Sequence, residues 1–397
     1  MKNVLGTNLT VTLFGESHGP YIGAVLDGLA PGIPVDESFI QNQLSLRRPA
    51  GKISTARVEK DEFILASGVF NGRTTGTPLC ILIPNTVQHS KDYEKTAMLA
   101  RPGHADYTAQ MKYHGFQDYR GGGHFSGRIT AALVAAAAIV IPELSKKGIT
   151  IGTHIKNLGG IEDRDFSEYT NCCEKSGQAE GKSGSAEKTS GSAGNASSNP
   201  LVQELKELNS KAFAVLDSSK AAEMLALAEK IASEGDSVGG VLETAVTGLP
   251  AGVGEPWFGT LESQLSYGLY SIPAIKGVQF GSGFDMVCSR GSDFNDPFAM
   301  NGDVVITRTN HNGGINGGIS NGMPVLFRCA VKPTPSIYKE QDTIDMKGKK
   351  DAKLVIEGRH DPAIIHRARV VVDSVTALVL YDILSGRYGT DYFGNEG

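Results

Sequence analysis

The chain has 397 residues, of which 40% are hydrophobic and 20% charged, a composition typical of globular proteins. Its formal net charge of −5 argues against a nucleic-acid groove, which would need a basic face. The N-terminal stretch MKNVLGTNLTVTLFG lacks the apolar core of a signal peptide, and no run of 18 apolar residues occurs. We therefore expect a cytoplasmic protein that does not span a membrane.

The cysteines and histidines do not follow metal-ligand or disulfide patterns. No Cys-x-x-Cys pair and no helical His-x-x-x-His or HExxH motif occurs, so neither a structural nor a catalytic zinc site is predicted. An odd number of scattered cysteines also indicates a reducing compartment without a disulfide framework. The five are Cys80, Cys172, Cys173, Cys288 and Cys329.

The first third of the chain alternates between strand and helix patterns. Alternating apolar residues predict strands over 9–14 and 22–29. Asp36 is a suitable N-cap for a helix that ends near Arg48. The spacing of apolar residues predicts a second, alanine-rich helix over 129–144, with Ser126 at a plausible cap position.

A polar stretch over 171–200 interrupts this pattern. It consists mainly of Ser, Gly, Ala, Glu and Lys and has little to bury, so we expect it to be disordered. We assign an insertion over 162–200 within a single catalytic domain that covers 1–397. Gly181-Lys182-Ser183 inside it is not a phosphate-binding P-loop, because the glycine spacing is one residue short and no strand precedes it.

The remaining elements are mixed strands and helices without a regular βαβ repeat, so the fold class is predicted to be α+β rather than a doubly wound sheet. Asp361 and Pro362 are predicted to be the N-cap and first residue of the last helix, and Gly386 its end. The other predicted elements are strands over 149–155, 238–249, 303–309 and 324–333 and a helix over 218–233.

Three histidines lie in predicted loops beside Gly, Pro and a carboxylate: His18 in GESHG, His104 in RPGHAD and His360 in GRHDP. Histidine exchanges protons near neutral pH, which makes each of them a candidate acid or base. For any one of them, a hydrogen-bonded loop histidine without a catalytic role is the simpler interpretation. Three histidines with the same kind of neighbours favour proton-transfer chemistry.

Cations and glycine-rich loops accompany these histidines. Arginine binds carboxylate and phosphate through paired hydrogen bonds, and side-chain-free backbone allows close approach to a ligand. The loops 121–123, 310–322 and 332–336 (KPTPS) combine both features. They indicate an enzyme or a binding protein for a small molecule with several negative charges, and the residues alone leave that choice open. The cations are Arg47, Arg48, Lys52, Arg57, Arg101, Arg120, Arg128 and Arg359.

In order along the chain, the motifs FGESHG, DGLAPGIP, RRP, RPGHADYT, YRGGG, NHNGGINGGISNG, VKPTPSI and GRHDP resemble those of the chorismate synthase family. The resemblance covers the chain except for roughly residues 160–215. It implies a β-α-β sandwich core, a homotetramer and a lyase of the shikimate pathway, which leads to aromatic amino acids. The reaction is an anti-1,4-elimination that converts 5-enolpyruvylshikimate 3-phosphate to chorismate and phosphate.

The resemblance further implies reduced FMN as cofactor, with NADPH only as an indirect source of electrons, and a small substrate with two carboxylates and a phosphate. A separate flavin reductase is a candidate partner, whereas nucleic acid and membrane are not. Two alternatives remain: a bifunctional form that reduces its own FMN with NADPH, and a non-catalytic flavin or phosphate binder. Turnover with NADPH and oxidised FMN alone would identify the first.

The resemblance assigns catalysis to His18, which protonates the departing phosphate, His104, which lies by the flavin, and Asp361, which handles a flavin proton. Arg48 and Arg128 are expected to bind substrate anions, and Lys52 stands where relatives often have arginine. The expected FMN contacts are Ser126, Ala274, Gly317, Lys332, Pro333, Thr334, Pro335, Ser336 and Arg359.

The segment after the glycine run departs from the family pattern. Many relatives have Arg-Ser-Ser-Ala-Arg-Glu there, whereas this chain has His124, Phe125, Ser126, Gly127, Arg128 and Ile129. Ser126 and Arg128 keep the expected residue types. The sequence does not indicate whether His124 replaces the missing cation or whether Phe125 packs in its place.

Overall fold

The computed structural model describes residues 2–48, 61–86, 97–170, 199–356 and 361–394. Strands of the first half are β1 (Val4–Leu5), β2 (Thr10–Gly15), β3 (Tyr21–Asp27), β4 (Ile64–Ser67), β5 (Val69–Phe70), β6 (Arg73–Thr74), β7 (Leu79–Pro84), β8 (Thr150–Leu158) and β9 (Ile161–Glu162). Those of the second half are β10 (Gly240–Thr247), β11 (Ile275–Phe280), β12 (Phe298–Asn301), β13 (Val304–Thr307), β14 (Ile315–Asn316), β15 (Ile319–Ser320), β16 (Val325–Val331), β17 (Gln341–Asp345) and β18 (Lys350–Leu354). The α-helices are α1 (Glu37–Leu46), α2 (Asp106–Tyr113), α3 (Thr130–Lys146), α4 (Ser167–Thr170), α5 (Pro200–Leu208), α6 (Ser218–Ser233), α7 (Leu261–Leu269), α8 (Gly291–Phe294) and α9 (Ile365–Tyr388).

Two five-stranded antiparallel sheets form the outer layers. The first has the strand order β1-β2-β3-β7-β4 and the second the order β11-β16-β10-β8-β9. In β7 the buried residues alternate, Leu79, Ile81 and Ile83, because only one face of this strand meets the core. Strand β8 is buried on nearly every residue, because α9 covers one face and α5 the other.

Helices α3 and α9 fill the layer between the sheets. They pack against each other, with α3 on β3 and β7 and α9 on β8 and β10. The segment Gly127–Lys146 is long and apolar enough to cross a membrane, but 78% of its apolar window is buried inside the protein, as in a core helix. The arrangement is a β-α-β sandwich, which confirms the predicted α+β class.

The last helix differs from its prediction at both ends. It begins at Ile365, because the carboxylate of Asp361 pairs with Arg367 and does not cap the helix. It continues through Gly386, where a Cβ would lie 2.6 Å from Nδ2 of Asn8, so close packing accounts for this glycine. The helix ends at Gly389, whose φ of +87° is left-handed.

The predicted insertion begins later than residue 162. Glu162 belongs to β9, and Phe166 is fully buried beside α5 on the outer face of the second sheet. The folded chain therefore extends at least to Thr170, because an apolar side chain anchors the segment that follows β9. Residues 171–198 of the predicted insertion lie outside the described residues. The described chain resumes at Asn199, which caps α5.

Candidate active site

A cavity of about 1130 Å³ lies between the two sheets, where α3 and α9 begin. Thr130 and Leu133 of α3 line it, as do Ala368 and Val371 of α9 and Ile364 just before that helix. The first turns of both helices thus face one space, and helix N-termini carry partial positive charge. The cavity therefore favours anionic ligands before any side chain is considered.

Arginines add to this positive character, and one buried carboxylate holds two of them. Nη2 of Arg47 lies 3.0 Å from Oδ2 of Asp61, and Nη1 of Arg128 pairs with Oδ1 of the same carboxylate. Burial opposes ionisation of Asp61, but these two arginines outweigh it and keep the pKa of Asp61 below its ordinary value. Burial lowers the pKa of Arg47 to about 10, so Arg47 still carries a charge at neutral pH. Arg48 lines the same cavity.

Asp361 and Arg367 extend this cluster to the start of α9. Asp361 is buried, lines the cavity and pairs with Nη1 of Arg367. Nε of Arg367 donates to the carbonyl oxygen of Arg47 at 2.8 Å. The carboxyl group predicted to be catalytic therefore lies among the cations that would hold an anionic substrate.

The glycine run 121–123 brings two predicted catalytic histidines together. All three glycines have positive φ values, +60°, +86° and +53°. A Cβ on Gly121 would lie 2.2 Å from Cε1 of His18, and one on Gly122 would lie 3.2 Å from Cε1 of His104. Any other residue type at Gly121 would displace His18, so the missing side chains make room for both imidazoles.

The two histidines differ in their surroundings. His18 is buried, and its Nδ1 lies 3.1 Å from Oγ of Ser17, which donates to the carbonyl oxygen of Arg120. His104 lines the cavity, and its Nδ1 lies 2.9 Å from Oδ1 of Asp106. Within the described part of the chain, the cavity wall includes His104 but not His18, which lies against the glycine run instead.

The residues that depart from the family pattern also line the cavity. Nδ1 of His124 donates to the carbonyl oxygen of Gly15 at 2.8 Å, which ties this loop to the end of β2. Phe125 packs edge-to-face against Tyr113, with ring centroids 6.1 Å apart. Ser126 accepts a hydrogen bond from the backbone N–H of Arg128 and thereby caps the turn that leads into α3.

Another part of the cavity wall, in contact with the loop of His104 through Lys332 and Gly103, carries most of the predicted cofactor contacts. Ala274 has a φ of +77°, which is strained for a residue with a Cβ, and its carbonyl oxygen accepts from the N–H of Lys332 at 3.0 Å. Oγ1 of Thr334 is buried and finds no hydrogen-bond partner within the described residues. Ala274, Lys332, Thr334, Pro335 and Ser336 line the cavity, and Pro333 packs on Gly239.

One predicted cofactor contact does not line this wall, and another lies outside the described residues. Gly317 lies in the turn between β14 and β15, whose next residue, Gly318, approaches Thr260. Arg359 lies outside the described residues, as do Lys52, Arg57 and His360. Within the described ranges, no group of three or more His, Cys, Asp or Glu side chains is placed to hold a metal ion.

Three residues of the site were not predicted: Asp61 and Arg367 line the cavity, and Asp106 contacts His104. Arg47 was named among the cations but given no role of its own. Asp106 could have been found, because it stands two residues after His104 in RPGHAD. Asp61 carries no such signal, since it lies in a run of charged residues, EKDE, that reads as a solvated surface. Its burial by two arginines from distant segments is a tertiary property.

Comparison with known proteins agrees with this site. A family profile described as chorismate synthase matches residues 9–384. The chorismate synthase of Pyrococcus abyssi is 41% identical over 379 residues, which cover 96% of each chain. That of Lachnoclostridium phytofermentans is 42% identical over 381 residues, covering 96% of this chain and 94% of the relative. A crystal structure of a chorismate synthase superposes with a TM-score of 0.71 at 26% identity, covering 97% of this chain and 94% of the other. The chain therefore belongs to the chorismate synthase family and is an enzyme of that family.

Proposed function

We propose that the chain converts 5-enolpyruvylshikimate 3-phosphate to chorismate and phosphate, a step of aromatic amino acid biosynthesis in the cytoplasm. In this anti-1,4-elimination the C–O bond to phosphate breaks and phosphate leaves with the electron pair. A ring hydrogen is lost as a proton, and the electrons of its C–H bond form the new double bond. The observation that carries the proposal is a cationic cavity that joins His104 and Asp361, with His18 across the glycine run.

The charge of the cavity matches a substrate with two carboxylates and a phosphate. Arg48 and Arg128 bind these anions, and Arg47 and Arg367 are further cations within reach of the same space. Asp61 already pairs with Arg47 and Arg128, so the substrate competes with this carboxylate for them. Paired hydrogen bonds from arginine suit carboxylate and phosphate equally well.

We assign the proton-transfer roles to three residues on the family resemblance. His18 is proposed as the proton donor to the departing phosphate, and its buried ring lies against the glycine run beside Ser17. His104 and Asp361 both line the cavity, and we propose that they transfer protons to groups bound there. Arg367 holds the carboxylate of Asp361 in place through their ion pair.

Reduced FMN is proposed to bind the part of the wall that Ala274 and the segment 332–336 form. The volume exceeds that of most single-ligand pockets, which leaves room for a flavin beside the substrate. The buried hydroxyl of Thr334 lacks a partner within the described residues, and the strained backbone of Ala274 faces the same space. Bound reduced flavin supplies electron density that assists C–O cleavage without net redox change. Ser126, Ala274 and the segment 332–336 would hold it, with NADPH only as the distant electron source.

The active form is proposed to be a homotetramer. One face of the β12–β13 ribbon carries Phe298, Met300 and Val305, which are 66%, 65% and 52% exposed. A two-stranded ribbon is marginal by itself, and such an apolar face in water indicates a protein partner. In the proposed homotetramer, a second copy of this chain covers this apolar face. A separate flavin reductase is the other candidate partner, as the source of reduced FMN.

The test is an anaerobic assay of purified protein with chemically reduced FMN and 5-enolpyruvylshikimate 3-phosphate. We expect stoichiometric release of phosphate and chorismate, and an Arg128→Gln variant should lose most of this turnover. No phosphate release from the folded wild-type protein would contradict the proposal. A second arm with NADPH and oxidised FMN should give no turnover unless a reductase is added. Turnover in that arm would identify the bifunctional form instead.

A further inference from the structure

We infer that Asp106 is a positioning residue that fixes His104 in the tautomer with hydrogen on Nδ1 and leaves Nε2 as the ring nitrogen that exchanges protons. The tautomer assignment is independent of the proposed function, whereas its consequence for turnover rests on that function. Neither Asp106 nor its partner Arg101 has a part in the roles assigned above.

Arg101 locks the carboxylate of Asp106 into one orientation. Oδ2 accepts from the backbone N–H of Arg101 at 2.9 Å and from its Nε at 2.7 Å, and Oδ1 accepts from its Nη2 at 2.7 Å. A bidentate arginine pair of this kind has little freedom to rotate. Burial opposes ionisation, but the hydrogen bonds from Arg101 and His104 hold the pKa of Asp106 well below its ordinary value. Asp106 is therefore an anion, which can only accept hydrogen bonds.

Donor and acceptor rules then assign the hydrogen on the ring. Oδ1 of Asp106 lies 2.9 Å from Nδ1 of His104, and a lone pair on Nδ1 would face a lone pair on the carboxylate. Nη2 of Arg101 lies 3.1 Å from the same nitrogen, but it gives one of its two hydrogens to Oδ1 at 2.7 Å, and the shorter contact of Nδ1 is the one with the carboxylate. Hydrogen on Nδ1 satisfies all three groups, and a neutral ring then carries its lone pair on Nε2.

The glycine run holds the other edge of the ring. A Cβ on Gly122 would lie 3.2 Å from Cε1 and 3.3 Å from Nε2 of His104, so the ring edge lies against bare backbone. The backbone N–H of His104 also donates to the carbonyl oxygen of Arg101 at 3.1 Å, which fixes the turn before α2. The ring is thus confined between a carboxylate and a glycine, and its orientation and tautomer are set together.

The first experiment reads the tautomer directly. Nitrogen-15 NMR of the full chain with labelled histidine, assigned with His104→Gln, should show hydrogen on Nδ1 of His104 at alkaline pH. Asp106→Asn should move the population towards hydrogen on Nε2. Asp217→Asn is the matched control, because Asp217 caps the distant helix α6 and asparagine caps equally well. Hydrogen on Nε2 in the wild type, or an unchanged tautomer in Asp106→Asn, would overturn the inference.

The second experiment uses turnover in the phosphate-release assay. Asp106→Asn should lower kcat on the order of 10- to 100-fold and change KM for the substrate little, because Asp106 acts through His104. The same substitution in a His104→Gln background should have almost no further effect. A full additive loss in that background would contradict the positioning role. If Asp106→Asn does not fold, the wild-type spectrum still tests the tautomer of His104, and turnover of Asp106→Glu still tests the positioning role of Asp106. An inactive wild type would refute the proposed function but leave the NMR result valid.

Discussion

At the scale of single residues, the site depends on side chains that are absent as much as on those present. Gly121 and Gly122 lie against His18 and His104, and both have left-handed backbone conformations. A Cβ here would meet an imidazole ring, and the ring could move only by leaving its own hydrogen bonds to Ser17 or Asp106. The glycine run therefore determines where the proton-transfer groups lie.

Gly121→Ala should reduce turnover at least tenfold, because the new Cβ would overlap Cε1 of His18 at 2.2 Å. The left-handed conformation adds about 1–2 kcal/mol of strain for a non-glycine residue. Gly148→Ala is the matched control, since Gly148 has a φ of +79° but open space around its Cβ position. It should lose similar stability in urea unfolding and keep its turnover. Equal turnover in both variants would contradict the steric argument.

Sequence reasoning found the glycine run but not what approaches it. Three consecutive glycines beside His and Arg indicate close backbone approach, whereas His18 is 103 residues away from Gly121 along the chain. Tertiary hydrogen bonds hold them together: the backbone N–H of Ser17 donates to the carbonyl oxygen of Gly123, and Oγ of Ser17 donates to that of Arg120. Asp61 was missed for the same reason, because its burial depends on Arg47 and Arg128 from two other segments.

At the scale of elements, periodicity predicted the central helices well and their ends poorly. The alanine-rich pattern predicted α3 to within a few residues, because tight packing between a sheet and α9 requires small side chains over several turns. The start of α9 was mispredicted, since Asp361-Pro362 has the form of a cap but an ion pair with Arg367 takes the carboxylate. A local rule failed where the residue belongs to the site.

Ala136→Leu in α3 should lower the free energy of unfolding by about 1–3 kcal/mol, because three extra carbons must enter a packed layer. Ala136 is completely buried between the first sheet and α9. Ala226→Leu is the control, since Ala226 lies on the exposed face of α6 and leucine is almost as good a helix former. Urea unfolding of both variants measures the difference. Equal free energies of unfolding in the two variants would contradict the prediction, because they would show that the layer around Ala136 has room for leucine.

A buried histidine joins the second sheet to the segment after β9. Nδ1 of His154 in β8 lies 3.0 Å from Asp163, and its Nε2 lies 3.0 Å from Glu243 of β10. Arg328 of β16 pairs with Glu243 and with Asp165. Lys156 of β8 also lies 3.2 Å from Asp165, so these six charges balance only when His154 is protonated.

This arrangement predicts that the protein loses stability as pH rises above 6.5. Burial opposes the charged ring, but hydrogen bonds with Asp163 and Glu243 outweigh it and raise the pKa of His154 above 6.5. A raised folded-state pKa contributes stability that is fully present below 6.5 and is lost as pH rises through the folded value. The urea midpoint should therefore fall more steeply with pH in the wild type than in His154→Gln. Parallel curves would contradict the prediction, because His154 is the group titrating above pH 6.5 that the substitution removes.

At the scale of the whole molecule, the sandwich explains why the site lies where it does. Both central helices begin at the same end of the layer between the sheets, so their N-termini and the loops of two sheets enclose one cavity. This architecture could be predicted only through the family resemblance, because strand order depends on pairings between distant segments. The pattern of strands alone indicated no more than the α+β class.

The β12–β13 ribbon gives a prediction for the assembled molecule. Val304 and Val305 are adjacent in β13, so their side chains lie on opposite faces, and Val305 shares its face with Met300 and Phe298. Val305→Asp should dissociate the proposed tetramer, because a carboxylate would be buried against an apolar surface of another copy. Val304→Asp places the same charge on the other face and should leave the assembly intact. Light scattering after size-exclusion chromatography measures both masses. A tetramer that survives Val305→Asp would show that another surface holds the copies together, since an exposed ribbon face tolerates a charge at no cost.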